Sequence, residues 1–295
     1  MVVMYSPPSR KCKIRLKLPR TLNDTLGVLC VLFGGLLLIW YEVFHILPTY
    51  YPKINLDLAG QEKRWTELCI LYAIAIYFAV NIYGNWFKVI TTDTSREKFM
   101  FTSSSLLPDG WRYCSECDLN LPSRSHHCKV CDMCILKRDH HCWFTGCCIG
   151  YFNHRYYIAM ITNMVGAALF CNIFNLTFVV SVKGHLTLYT FLSYIGPHVG
   201  WLLGYYDFYV FAITLQTTIG TVLLGLFSWL LYIQICQIIT GQTKYEVKRR
   251  VKKYNLGVIH NLKEILGKRW YLVLLFPWIP SPLPGNGIYF KIKGE

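Results

Sequence analysis

The chain has 295 residues, of which 54% are hydrophobic and only 16% charged, against about 25% charged in ordinary soluble domains. That imbalance argues against a soluble globular protein and asks for membrane spans first. The formal net charge of +14 admits nucleic acid, anionic lipid or a phosphorylated ligand as partner; in a membrane chain the lipid readings come first, and no nucleic-acid motif exists beyond the charge itself.

The first 24 residues are basic and contain proline. No small-residue cleavage site follows the first apolar run, so no cleavable signal peptide is expected. A bilayer core asks for about 20 apolar residues per helix. Residues 25–41 are uncharged and continue past Glu42 into an apolar stretch. Residues 68–87 and 156–182 are uncharged, and 208–243 is uncharged and longer than one span requires. Gly184, Gly196, Pro197, Gly200 and Gly204 interrupt the uncharged stretch 184–206, which reads as a lumenal or interfacial loop rather than a fifth span. Of the 30 Lys and Arg, 26 lie in 1–24, 88–155 and 244–295. Four spans put those three segments on one side, which the positive-inside rule makes cytosolic; a fifth would move the basic tail across.

The expected architecture is therefore an all-α membrane protein: four transmembrane helices with a cytosolic, zinc-binding cysteine-rich domain between helices 2 and 3. Residues 1–24 form a cytosolic N-terminus and 25–90 the first two helices with a lumenal loop. Residues 91–155 hold the cysteine-rich domain, 156–243 the last two helices with a lumenal loop, and 244–295 a cytosolic tail. Charged residues inside spans mark ion pathways, and these spans hold almost none beyond Glu42, which disfavours a transporter or channel.

Eight of the thirteen cysteines and four of the nine histidines fall between Cys114 and Cys148. A disulfide scaffold would not interleave Cys with His at two-residue gaps; that pattern points to metal in a reducing compartment. The run is Cys114, Cys117, His126, His127, Cys128, Cys131, Cys134, His140, His141, Cys142, Cys147 and Cys148. It supplies twelve donors, enough for two tetrahedral Cys/His zinc sites with four groups left over. Counting alone does not say which, because His126 and Cys147 adjoin other candidates. Cys30, Cys69, Cys171 and Cys236 lie in spans and read as packing residues.

Residues 114–157 resemble the cysteine-rich domain of the DHHC protein palmitoyltransferases. The matching pieces are Pro122-Ser123-Arg124-Ser125-His126-His127-Cys128, Asp139-His140-His141-Cys142, Cys148-Ile149-Gly150, Asn153 and Tyr157. Weaker matches follow span four, in Thr243-Lys244-Tyr245-Glu246 and in Asn261 with Gly267. The resemblance implies one structural zinc on Cys114, Cys117, His127 and Cys134, and a second on Cys128, Cys131, His141 and Cys148. It implies protein S-acylation from acyl-CoA, palmitoyl-CoA in particular, in two steps through an acyl-Cys142 intermediate. His140 serves as base and Asp139 orients it, the nucleophile–base–orienter logic of activated thiols. Partners would be acyl-CoA, membrane lipids, and cytosolic or membrane proteins with juxtamembrane cysteines, with no nucleic acid. Lys137, Arg138 and Arg155 are candidates to meet CoA phosphates or to lower the Cys142 pKa, against the plainer reading of a solvated basic loop and interface.

Three positions depart from the family pattern. Trp143-Phe144 replaces Pro-Trp after the nucleophile, Gly146-Cys147 replaces Asn-Asn before the last zinc cysteine, and Lys244 replaces a threonine. A Lys244–Asp139 ion pair would compete with the orienting role of Asp139. The alternative is a weak or inactive zinc-stapled membrane scaffold of the same family. Lys291 and Lys293 resemble a dilysine retrieval signal and give an expectation of endoplasmic reticulum or Golgi residence. Gly166, Ala167 and Ala168, ten to twelve residues into span three, leave room either for an acyl chain or for close helix packing.

Overall fold

The computed structural model describes residues 18–50, 58–95, 109–184 and 187–294. Most of the basic N-terminal stretch, part of the loop between the first two spans and residues 96–108 lie outside them. The chain is mostly helical, and four helices are long and apolar enough to cross a membrane.

Helix α1 (Leu22–Thr49) starts at Thr21. The Asp24 N–H donates to the Thr21 hydroxyl (3.1 Å), and the Thr21 N–H donates to the Asp24 carboxylate (3.3 Å). This reciprocal cap satisfies two amide groups that the helix leaves open. Two π-helical runs, Cys30–Gly34 and Glu42–Ile46, interrupt α1. Helix α2 is Leu58–Thr91 and α3 is His154–Lys183. Two short helices follow, α4 (Leu188–Ile195) and α5 (Pro197–Leu202). Neither approaches the length of a span. Helix α6 (Phe208–Thr240) is capped by Asp207, whose carboxylate accepts from the Val210 N–H at 2.8 Å. It ends at Gly241, whose φ of 64° suits a residue without a Cβ.

Helix α3 packs between α2 and α6. Apolar matching does not hold helices together in lipid, so small residues and interhelical hydrogen bonds do. A Cβ at Gly166 would come within 2.6 Å of the Phe78 ring, so glycine there permits the α2–α3 approach. Thr221 Oγ1 of α6 donates to Asn172 Oδ1 of α3 at 2.9 Å. Asn175 Nδ2 donates to Glu42 Oε2 of α1 at 3.1 Å. The Glu42 carboxylate, near the far end of α1, thus has an amide partner.

Between α2 and α3 the cysteine-rich segment forms three antiparallel hairpins, strands that helical periodicity gave no reason to expect. They are β1 (Arg112–Cys114) with β2 (Leu119–Leu121), β3 (His126–Cys128) with β4 (Met133–Ile135), and β5 (His140–Cys142) with β6 (Cys147–Ile149). After α6 the chain folds back on this segment through α7 (Lys244–Arg249) and α8 (Val258–Leu266).

Candidate active site and metal centres

The three hairpins share one register, repeated every fourteen residues. Tyr113, His127 and His141 stand opposite Asn120, Cys134 and Cys148. Cys114, Cys128 and Cys142 end the first strands. Three residues on come Cys117, Cys131 and Thr145. Asp118, Asp132 and Gly146 then turn each hairpin with φ of 51°, 48° and 61°. That left-handed turn is where Asn, Asp and Gly are tolerated, so Gly146 meets the same backbone demand as the family's asparagine.

Two donor groups form across neighbouring hairpins: Cys114, Cys117, His127 and Cys134, and Cys128, Cys131, His141 and Cys148. Within each, the ligand atoms lie within 4.8 Å of one another. Each group takes a Cys pair from one hairpin and a His and Cys from the next. Two sulfurs on a tetrahedral zinc at ~2.3 Å stand ~3.8 Å apart; Cys131 and Cys148 Sγ are 3.7 Å apart. His127 Nδ1 is 3.3 Å from Cys117 Sγ, and His141 Nδ1 is 3.3 Å from Cys131 Sγ. Three sulfurs and one imidazole at these separations fit zinc, with every donor of each set used. His126 and Cys147 lie outside both groups. His126 packs against Tyr245 with ring centroids 3.8 Å apart and the planes tilted by 44°, and Cys147 is buried in the apolar cluster around Cys142.

Because His141 faces its metal group with Nδ1, Nε2 is free, and it bonds Asp24 Oδ1 at 2.8 Å. Asp24 is fully buried. Its other oxygen belongs to the α1 cap, so one carboxylate joins the first turn of α1 to a metal-type histidine one residue from Cys142. Sequence reasoning placed residues 1–24 outside the span and missed both the Thr21–Asp24 cap and its distant partner.

The third hairpin repeats the ligand geometry without a fourth to complete it, since the chain passes directly into α3. Cys142 therefore occupies a ligand position with no metal group, and Thr145 stands where its pair-mate cysteine would be. The fourteen-residue repeat was present in the sequence and is the signal that would have singled out Thr145. The Thr145 N–H and hydroxyl lie toward the Cys142 carbonyl oxygen, both at 3.3 Å.

Around Cys142 the polar groups form a chain. Asp139 Oδ2 lies 2.7 Å from His140 Nδ1, and the same ring interacts electrostatically with the Cys142 thiol. Asp139 Oδ1 accepts from the Lys244 N–H at 2.8 Å, and Gln234 Nε2 donates to Oδ2 at 3.4 Å. His154 bonds Gln234 Oε1 at 2.6 Å. Burial disfavours a charged His140 ring, but Asp139 and the thiol outweigh it and raise its pKa to about 9. Burial likewise raises the Cys142 thiol, and His140 more than reverses this, leaving it below its ordinary value. Each group thus favours the charged form of the other. Lys244 reaches Asp139 through its backbone, and its side chain is exposed. Lysine in place of threonine leaves that bond intact, and the expected competing ion pair gives way to a supporting amide.

The apolar side of Cys142 is formed by Trp86, Val89 and Ile90 of α2, Tyr157, Met160 and Ile161 of α3, and part-buried Val28, Val31 and Leu32 of α1. The loop after the nucleophile is held from two helices. Trp86 Nε1 donates to the Phe144 carbonyl at 2.9 Å. A Cβ at Gly27 would come within 2.6 Å of the Trp143 carbonyl oxygen. Trp143 itself is exposed.

The three basic candidates differ in placement. Lys137 is buried and ion-paired with Glu264, which takes its ammonium away from water and from any solvent-borne phosphate. Arg138 lies 3.6 Å from Cys128 Sγ through Nη2, where it offsets thiolate charge. Arg155, at the start of α3, bonds the Ser281 carbonyl and the Tyr156 hydroxyl. A further cation, Arg124, ties the hairpins to the tail. It bonds Glu246 at 2.7 and 2.8 Å, Glu264 at 3.0 Å and the Gly241 carbonyl at 2.9 Å.

A cysteine-rich module with two Cys/His groups able to hold metal, set between the second and third of four spans, defines a class. The chain belongs to the DHHC palmitoyltransferase family, whose model matches residues 107–251. It is 34% identical to the probable palmitoyltransferase ZDHHC24 of Danio rerio over 84% of this chain and 85% of that one. It is also 34% identical to the proteins of that name from Mus musculus and Homo sapiens, in each case over 76% of this chain and 78% of the relative. It is a multi-pass membrane protein with two Cys/His clusters able to hold metal.

Proposed function

We propose that this protein is an S-acyltransferase that moves a fatty acyl group from acyl-CoA to protein cysteines through acyl-Cys142. The buried Asp139–His140–Cys142 chain, with a thiol held below its ordinary pKa, is the observation that carries this reading. In the first half-reaction the Cys142 thiolate attacks the thioester carbonyl. The carbon–sulfur bond to CoA breaks, and the His140 proton goes to the departing CoA sulfur. In the second, the neutral His140 takes the proton of a substrate cysteine, whose sulfur attacks acyl-Cys142. The acyl bond to Cys142 breaks, and the imidazolium–thiolate pair returns. Asp139 stays ionised and holds the ring orientation, as in other nucleophile–base–orienter sets. Two zincs, on Cys114, Cys117, His127, Cys134 and on Cys128, Cys131, His141, Cys148, would fix the hairpins and leave no open coordination position.

The side bearing the hairpins is assigned to the cytosol on the Lys/Arg distribution. In the same reading Arg155 is the remaining candidate near the site for CoA phosphates. Endoplasmic reticulum or Golgi residence rests on Lys291 and Lys293. These line an open cleft with Asn255, Leu256 and Gly257, and the Lys293 N–H donates to the Lys253 carbonyl at 2.8 Å, so a receptor would compete with that docking.

The test is labelled palmitoyl-CoA added to purified, lipid-reconstituted protein. Wild type takes up label that hydroxylamine releases as expected of a thioester, and Cys142→Ser takes up none. Equal labelling of both, or of neither with metal retained, would turn the assignment toward the inactive scaffold or another acceptor.

A further inference from the structure

Beyond α8 the chain runs through Arg269-Trp270-Tyr271-Leu272-Val273-Leu274-Leu275-Phe276-Pro277-Trp278-Ile279-Pro280 without regular secondary structure. Its side chains divide sharply. Val273 is buried with Ile158, Ile238, Ile265 and Leu266, and Trp270 and Leu274 pack on that cluster. Tyr271, Leu275, Phe276 and Trp278 point outward, from 43% to 60% exposed. Four large apolar side chains outward in eight residues would be costly in water.

Two contacts fix how deep this segment lies. Asn163 Nδ2 of α3 donates to the Leu274 carbonyl at 3.2 Å. A Cβ at Gly84 of α2 would come within 2.6 Å of Pro277 and 2.9 Å of Trp278. Asn163 is eight residues into α3 from Arg155, and Gly84 is four residues before Lys88. At ~1.5 Å per residue the segment sits roughly 6–12 Å inward of the basic residues that mark the ends of those spans. Backbone at that depth must have its polar groups satisfied within the protein. That demand is met in part: the Leu272, Leu275 and Ile279 N–H groups donate to carbonyls three residues back, Asn163 serves the Leu274 carbonyl, and Pro277 and Pro280 have no N–H to satisfy. Lys268 and Arg269 precede the segment and are exposed, as cations at a headgroup boundary are.

We propose that residues 270–280 form a wedge seated in the leaflet on the cysteine-rich side, with Tyr271, Leu275, Phe276 and Trp278 facing lipid. The occupant of this apolar face is hydrocarbon, because the face continues the lipid-facing surface of α2 and α3 at the same depth. The wedge anchors α8, whose Glu264 holds Arg124 and Lys137 of the hairpins. The module carrying Cys142 is thereby set at a fixed height over the membrane by its tail as well as by the spans.

The experiment uses full-length protein in nanodiscs. The tryptophan emission of wild type minus that of Trp278→Phe isolates Trp278. Lipids brominated part-way down their chains quench this difference signal by roughly half or more, while aqueous iodide leaves it unchanged, as for a residue within the hydrocarbon. Quenching by iodide without quenching by bromolipid overturns the proposal in favour of an aqueous tail. Quenching by neither also overturns it, in favour of a surface covered by a second copy or another protein. Gly84→Leu, which denies Pro277 and Trp278 their seat, turns the Trp278 signal from bromolipid-sensitive to iodide-sensitive; an unchanged signal means the segment does not sit on α2. Should Gly84→Leu fail to fold, the wild-type comparison still decides.

Discussion

At the scale of single residues, the proposed nucleophile stands at a ligand position of the repeat but outside both donor groups. Cys142 follows Cys114 and Cys128 in the repeat, and its pair position holds Thr145. Thr145→Cys restores the pair beside His140. Added zinc is then expected to inhibit labelling of Thr145→Cys at concentrations at least tenfold below those that affect wild type, since thiolate pairs bind zinc far better than a lone thiolate does. Equal zinc sensitivity would mean that the third hairpin is not a latent ligand pair. Cys142→Ser should leave metal content unchanged, whereas Cys131→Ala should lose metal and the label together, because the hairpins have few apolar residues of their own. These positions were legible in the sequence because Cys-x2-Cys spacing and Asp-His-His-Cys are local. The neighbours of Asp139 were not. Gln234 and Lys244 lie about a hundred residues away, and nothing in a glutamine within an apolar helix announces a partner.

At the scale of elements, the spans were readable from uninterrupted apolar length, and the loop 184–206 from its glycines. The hairpins were not, since three-residue strands fixed by metal ligands carry no alternation long enough to register. Nor was the first turn of α1 readable as part of the site. A carboxylate on the second nitrogen of a metal-bound histidine fixes ring orientation, and its loss costs 10–100-fold in metal affinity. Asp24→Asn keeps an acceptor for the Thr21 cap and removes the charge facing His141. It is expected to release metal to a chelator about tenfold faster, with α1 still inserted; an unchanged release rate would reduce Asp24 to a cap alone. The Arg124 network is the other link between elements. Removing one partner of a buried ion pair leaves the other uncompensated and costs ~3–5 kcal/mol. Arg124→Met strands Glu246 and leaves Glu264 with Lys137 alone, so a marked fall in thermal stability in lipid is expected. Arg124→Lys should recover little of it, because an ammonium cannot reproduce the forked contacts.

At the scale of the whole molecule, the helices set out a path leading away from Cys142. Met160 and Met164 of α3 belong to or border its apolar cluster. Continuing the same helix face by steps of three and four gives Ala167 and Ala168, then Cys171 and Asn175. Asn175 meets Glu42 of α1, so this face looks at α1 and ends on a polar pair. From Met160 to Asn175 the rise is ~22 Å. Gly166 faces α2 instead, against Phe78, and serves helix packing. The small residues therefore split: one closes the α2–α3 contact, while Ala167 and Ala168 leave the α1-facing stripe thin between Met164 and Cys171. An acyl chain on Cys142 that follows this stripe passes Ala167 before it reaches the Glu42–Asn175 pair. Ala167→Phe should shift competition for Cys142 from stearoyl-CoA and palmitoyl-CoA toward myristoyl-CoA by about tenfold, the worth of one or two buried methylenes lost. Metal content should not change, since the substitution lies more than a helical turn from every ligand-bearing strand. An identical acyl profile in wild type and Ala167→Phe, with label still on Cys142, would place the chain on another face of the bundle, between α2 and α6.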